Sequence, residues 1–302
     1  MPDASTQTDE NLAPTRRPLS DSSKKKYDQA IQRIKTAGYN IETQPKEVIA
    51  WVKTQGKDSA QIVYYSAIKY EMGKGNKPFP VPRAYQDEID RLAGLHKSAS
   101  KSQVLSEKQQ TNFVPFADLL AVQERLAAKE DKSDAEFKDY LIASLYTLQP
   151  PVRADYGQIQ VFKKRRATRT GNELIYGQKK DPYFVFRVYK TAKTYGTVEI
   201  RVAPALVKVI AEWFGHLGKT PKYLLGRAVE PADLLPLITH AFRSTKKDIG
   251  VNLLRHAYIT EFMKTPRTIA EREELAMKML HDKDTQEKYA VATELKKTES
   301  DA

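Results

Sequence analysis

The chain predicts a mainly α-helical protein of two bodies, with a small antiparallel β-sheet in the second. Apolar residues recur at helical spacing over most of its length, one polar stretch interrupts them, and three short β-branched and aromatic runs cluster past the middle. A length of 302 residues fits two domains, either large enough to bury its own core. The expected boundaries are a disordered leader at 1–18, a small helical domain at 19–95, a linker at 96–110, a second domain at 111–290 and a tail at 291–302.

The leader is rich in Asp, Thr, Pro and Asn and has no apolar period. From Ser20 the pattern turns helical: Ser20, Asp21 and Ser22 are candidate caps, Tyr27, Ala30, Ile31 and Ile34 share a face, and Gly38 ends the run. A second helix starts at Pro45, carries Val48, Trp51 and Val52 inward and stops at Gly56. The third runs from about Ser59 with Ile62, Tyr65, Ile68 and Met72 on one stripe, before the breaker-rich loop GKGNKPFPVP; a shorter fourth carries Tyr85, Ile89 and Leu92. Four short helices make an all-α domain. The following HKSASKSQVLSEKQQ has linker composition.

Beyond it, FADLLAVQERLAAK and AEFKDYLIASLYTL read as helices, the latter closed by Pro150 and Pro151. Strands are expected at 157–162, 183–189 and 197–202, where β-branched and aromatic residues gather between turn signals. Helical periodicity returns at ALVKVIAEWFGHLG and continues at 231–242, 251–263 and 269–281.

Fifty Lys and Arg against 38 Asp and Glu give a net charge of +12, which favours a polyanionic partner. Nucleic acid leads, because basic stretches recur in both halves. No apolar run is long enough to cross a bilayer and the N-terminus lacks a greasy signal segment, so a soluble, intracellular protein is expected. The absence of cysteine excludes disulfides, Cys-ligated zinc and thiol catalysis, and five His leave little for a metal cluster.

Chemistry concentrates in PPVRADY, in the segment YKTAKTYG between two predicted strands, and in NLLRHAYIT and MLHDKDTQEKY near the C-terminus. Arg153 follows a helix, Arg255 lies 102 residues later within another, and Tyr289 stands 8 positions after His281. This ordered set resembles the tyrosine-type site-specific DNA recombinases, over about residues 20–290. Arg255 and His256 match the family's His-x-x-Arg-His fragment, Leu280 and His281 its Leu-Gly-His-like fragment, Arg153 its early Arg, and Tyr289 its nucleophile. Lys190 is the better match to the family's hairpin Lys, with Lys193 the alternative; the first region is similar to the family's core-binding domain. Asn252 stands where the family has its first His and Leu280 where it has Gly, and the spacing from His281 to Tyr289 is about one residue shorter than is common.

The resemblance implies cleavage and rejoining of double-stranded DNA at specific sites through a 3′-phosphotyrosine, and integration of a viral or mobile-element genome. It implies a tetramer assembled on DNA, no cofactor and no metal, and residence in the cytoplasm or a host nucleus. The residue types suit that chemistry. Two Arg forks can hold the charge that builds on the non-bridging phosphate oxygens. A phenol conserves the bond energy in a covalent ester, and a Lys can protonate the departing 5′-oxygen. His281 would bond the phosphate or steer the nucleophile. Asn252 can donate to phosphate but cannot take a proton from Tyr289. His256 reads as a structural helix residue. Lys163, Lys164, Arg165 and Arg166, with Lys24, Lys25 and Lys26, are the candidate DNA-backbone contacts. Two rival readings are a type IB topoisomerase-like relaxing enzyme and a DNA-binding protein that has lost activity.

Overall fold

The computed structural model describes residues 19, 21–74, 81–101, 104–177, 181–281 and 289–291. The expected leader at 1–18 lies outside these, as does the expected tail from 292 onward. The chain divides into two units, Met1–Ser98 and Ala99–Ala302. Among the described residues no helix is long and apolar enough to cross a membrane.

The first unit holds α1 (Asp21–Thr36), α2 (Pro45–Thr54), α3 (Asp58–Met72) and most of α4 (Arg83–Lys101). Its core gathers Ile34, Val48, Val52, Tyr65, Ile68, Tyr85 and Leu92, the positions that share helical faces in the sequence. Tyr85 is fully buried and its hydroxyl donates to the Ile41 carbonyl at 3.0 Å, so the ring is packed without stranding its polar end. Gly38 closes α1 in the left-handed region, at φ 85°. Its N–H bonds Lys35 O while Tyr39 N–H bonds Ile34 O, the paired bonds of a Schellman cap.

The stretch expected as linker contains regular structure. There α4 runs on to Lys101, and α5 (Glu107–Asn112) begins at a capping box in which Ser106 and Gln109 satisfy each other's backbone N–H. Two of the Ser and Gln residues that give this stretch a linker composition, Ser106 and Gln109, are cap residues in the fold.

In the second unit, α6 (Phe116–Ala128) and α7 (Asp134–Thr147) pack with α9 (Pro204–His216) and α10 (Pro231–Ala241). Every residue of α7 from Asp139 to Thr147 is buried, and a helix covered all round needs no polar face. Its buried Asp139 is met by Arg243 Nη1 at 2.6 Å and His240 Nδ1 at 3.0 Å. Two further helices complete the unit, α11 (Val251–Met263) and α12 (Ile269–Lys278).

The sheet has four strands in the order β1 (Gln160–Phe162), β2 (Glu173–Ile175), β3 (Tyr183–Phe186), β4 (Val198–Arg201). It is mixed rather than antiparallel throughout, because β1 runs parallel to β2. The strand β2 is absent from the sequence expectation. Its three residues are too few to show a period, and the basic run at 163–166 together with Arg169 lies in the connection that parallel pairing requires. The strand expected over 183–189 ends at Phe186 because the Asn172 side chain replaces its ladder partner. Asn172 Oδ1 accepts from Arg187 N at 2.9 Å and Val188 N at 2.8 Å, and its amide donates to Val188 O at 2.8 Å. Residues 187–197 are thereby released as a connection that includes the short α8 (Ala192–Tyr195).

Candidate active site

After α7 the chain turns through Gln149, Pro150 and Pro151 into a single 3₁₀ turn, Ala154–Tyr156, with Arg153 at its entrance. Tyr146 donates its hydroxyl to the Arg153 carbonyl at 2.9 Å, and Gln149 donates to the Tyr156 hydroxyl at 2.7 Å. Gly157 follows because the backbone there lies against Val229: an added Cβ would come within 2.3 Å of the Val229 carbonyl oxygen. The half-buried Arg153 side chain reaches from this rigid corner to the Leu280 carbonyl, by a long hydrogen bond of 3.4 Å.

Arg255 is fully buried in α11, at 0% exposure. Its Nη1 donates to Pro151 O at 2.6 Å and to Met279 O at 3.1 Å, and its Nη2 donates to His281 Nδ1 at 2.7 Å. One guanidinium thus joins the Arg153 corner to the end of α12. Burial lowers the Arg255 pKa, opposed by the Tyr289 phenol that faces it, and nearby Arg153 lowers it further. A guanidinium remains cationic under such a shift. Its carbon sits 5.0 Å from the centre of the Tyr289 ring, a cation–π separation.

The end of α12 determines where His281 stands. The helix starts at a capping box of Thr268 and Glu271 and ends in the same paired bonds that close α1. Leu280 N–H bonds Met277 O at 3.0 Å and His281 N–H bonds Ala276 O at 3.1 Å. Here the left-handed position is filled by Leu280, at φ 57° and only 2% exposed. This backbone region favours Gly, and Leu adopts it at a cost of roughly 1–2 kcal/mol. Because Arg255 donates to Nδ1 of His281, the ring proton of a neutral His281 is on Nε2, which makes that nitrogen a donor rather than a base.

Tyr289 is half-buried against two imidazoles, with ring centres 4.8 Å from His256 and 5.7 Å from His281. The Nδ1–H of His256 donates to the Tyr289 carbonyl at 2.7 Å, and two residues on Val291 N–H donates to Thr260 Oγ1 at 3.0 Å. Burial lowers the His256 pKa, the Tyr289 carbonyl opposes this, and Arg255 lowers it further. Asp155, beside the two arginines, has its pKa raised by burial, with Arg153 and Arg255 pulling the other way.

Arg153, Arg255, His281 and Tyr289 therefore converge, although up to 136 positions separate them in the chain. Lys190 is exposed on the turn before α8 and Lys193 is exposed within it; among the described residues neither makes a hydrogen bond or ion pair with the cluster. Lys190 is tied in through its neighbour, since Thr191 Oγ1 donates to the Leu280 carbonyl at 3.0 Å. Asn252 is exposed in the first turn of α11. Lys163, Lys164, Arg165 and Arg166 are exposed between β1 and β2, Arg165 in an ion pair with Glu199 of β4. Lys24, Lys25 and Lys26 lie on α1 in the first unit, Lys24 in an ion pair with Asp21 at 3.1 Å.

Sequence reasoning misses Asp155, Thr191, Thr260 and the tie from His256 to Tyr289. Asp155 alone carries a signal, an acid two positions after a candidate Arg. Thr191 and Thr260 act on backbone groups distant in sequence, which no local pattern marks.

No family model matches the sequence, and no curated protein matches it. Among solved structures, the chain is similar to one described as XerA recombinase, with a TM-score of 0.43 and 12% identity over 94% of this chain and 92% of that one. A likeness of that size transfers neither activity nor residue roles.

Proposed function

We propose that the protein is a tyrosine-type site-specific DNA recombinase. The observation that carries this reading is the convergence on Arg255, whose guanidinium bonds His281 and faces the Tyr289 ring while Arg153 reaches the same turn. A buried cation beside a phenol and a second arginine suits a phosphodiester whose charge grows during attack.

In this mechanism the Tyr289 phenol gives up its proton to solvent water as its oxygen attacks the scissile phosphorus, the bond from phosphorus to the 5′-oxygen breaks, and a 3′-phosphotyrosine forms. Arg153 and Arg255 neutralise the non-bridging oxygens, and the Nε2–H of His281 donates to one of them. Lys190 delivers a proton to the departing 5′-oxygen. Rejoining reverses each step: a 5′-hydroxyl attacks phosphorus, its proton returns to Lys190, and the phenol is released. His256 holds the Tyr289 backbone, so that the phenol is presented at a fixed depth. Asn252, exposed at the N-terminus of α11, is a phosphate donor and not a base.

Exposed Lys163, Lys164 and Arg166 supply sequence-independent phosphate contacts, and Lys25 and Lys26 extend such contacts to the first unit. Recombination joins two cleaved duplexes, so the working form is a tetramer on DNA, and integration of a mobile or viral genome is the use that such a reaction serves.

Incubating the protein with nicked suicide duplexes from the termini of its own element tests the reading. A covalent adduct on a denaturing gel that disappears in Tyr289→Phe supports it. Plasmid relaxation without joined-duplex product would instead indicate a relaxing enzyme, and binding without any adduct a protein that only binds DNA.

A further inference from the structure

We infer that Thr191 is a positioning residue for Lys190, holding the turn that bears this lysine against the turn that bears His281. The inference rests on the proposed recombinase reading and adds a residue that the resemblance does not assign.

Two side chains meet at one carbonyl. Leu280 O lies just past the end of α12, next to His281, and it accepts from Thr191 Oγ1 at 3.0 Å and from Arg153 Nη1 at 3.4 Å. Thr191 is 89 residues away in the chain, on the connection that Asn172 frees from the sheet. Within this connection the carbonyls of Tyr189 and Thr191 bond the N–H groups of Ala192, Thr194 and Tyr195, and Tyr189 donates its hydroxyl to Gly196 O at 2.8 Å. The loop is therefore internally braced, and Thr191 supplies a side-chain bond from it to the active-site turn.

The acceptor is also immobile. Leu280 is buried and locked at φ 57° by the paired bonds that end α12, so its carbonyl direction is fixed. A bond to a fixed acceptor restrains the donor, and the residue restrained is the immediate neighbour of Lys190. A proton donor must come within about 3 Å of the oxygen it serves, so loss of the tether should slow proton delivery and leave phosphate binding by Arg153 and Arg255 intact.

The test uses the full chain and a nicked duplex chosen from a randomised pool by its covalent adduct with the unaltered protein. The duplex is made in two forms, with the scissile 5′-oxygen or with sulfur in its place. A thiolate leaves without being protonated, so the sulfur form does not need the lysine. Thr191→Val should form adduct about tenfold more slowly on the oxygen form, a fraction of what a general acid supplies, and within about twofold of the unaltered protein on the sulfur form. Thr191→Ser, which keeps the hydroxyl, should restore the oxygen rate. Equal slowing on both forms would make Thr191 merely structural and overturn the inference, as would no slowing on either. Trypsin cleavage after Lys190 gives a readout independent of chemistry: it should accelerate in Thr191→Val and not in Thr191→Ser, and an unchanged rate means the tether does not hold. Absence of any adduct with the unaltered protein would refute the recombinase reading itself, an outcome distinct from these.

Discussion

Leu280 gives the structure its most discriminating stability test, because burial and backbone conformation there pull in opposite directions. The side chain is 2% exposed, so Leu280→Ala should cost about 2–5 kcal/mol for the packing removed and the cavity left behind. Leu280→Gly gives up one further buried carbon, worth about 0.8 kcal/mol, and frees the unfolded chain by about 0.5–1 kcal/mol. It also relieves the left-handed penalty of about 1–2 kcal/mol that Leu and Ala both carry at φ 57°. The two sides nearly cancel, so the Gly and Ala variants should fall within about 0.5 kcal/mol of each other. Leu275 is the control: it is 4% exposed, within α12 just before Leu280, in the right-handed conformation. There the Gly variant should be less stable than the Ala variant by about 1.5 kcal/mol. Urea unfolding followed by Trp213 fluorescence in a Trp51→Phe background reports on the second unit, since these are the chain's 2 Trp residues. An equal gap between Gly and Ala at both positions would refute the left-handed assignment, and with it the fixed Leu280 carbonyl on which Arg153 and Thr191 converge.

Four further outcomes follow from the same geometry. Arg255→Lys replaces a fork serving three acceptors with a single nitrogen, so adduct formation should drop about 100-fold or more in a single-turnover assay while DNA affinity changes little. At His256, Asn can keep a donor near the Tyr289 carbonyl and Ala cannot; adduct formation should therefore fall in His256→Ala and be largely retained in His256→Asn. Because burial lowers the His256 pKa, the unfolded state binds its proton at higher pH than the folded state does. The associated stability is complete above the unfolded value of about 6.5 and is lost as pH falls through the lower folded value, and urea midpoints measured from pH 8 to 5 should show this drop diminished in His256→Asn. Replacing Lys163, Lys164 and Arg166 together by Ala should flatten the dependence of log affinity on log salt by about 0.9 for each phosphate no longer neutralised, measured by fluorescence anisotropy; an unchanged slope would remove this patch from the interface.

Helix positions are legible wherever a stripe of apolar residues meets a punctuating residue. Pro45 opens α2, Gly38 closes α1, and the expected run at 251–263 is the observed α11. Legibility fails where the determining interaction comes from far away. Nothing in YFVFRVY says that its last residues will leave the sheet, since the Asn172 amide that captures Arg187 and Val188 lies eleven residues before the strand begins. Similarly, Ser and Gln in the stretch after α4 carry linker composition, and that composition masks the three-residue spacing of Ser106 and Gln109 that forms a cap.

The site divides along the same line. Arg153, Arg255, His281 and Tyr289 can be selected from the sequence because the proposed chemistry calls for those side-chain types, and the resemblance orders them along the chain. What holds them together is mostly backbone: the carbonyls of Pro151, Met279, Leu280 and Tyr289 receive bonds from Arg255, Arg153, Thr191 and His256. Any residue can present a carbonyl, so such an acceptor leaves no trace in composition or spacing. Leu280 is the instructive exception. Its departure from the expected Gly is visible in the sequence, and the structure accounts for what the departure costs. Its backbone takes the conformation a Gly would take, and its buried side chain contributes packing against the core that a Gly could not. A Leu at this position is thus compatible with an intact left-handed turn, since packing can offset the strain of meeting that backbone angle with a side chain.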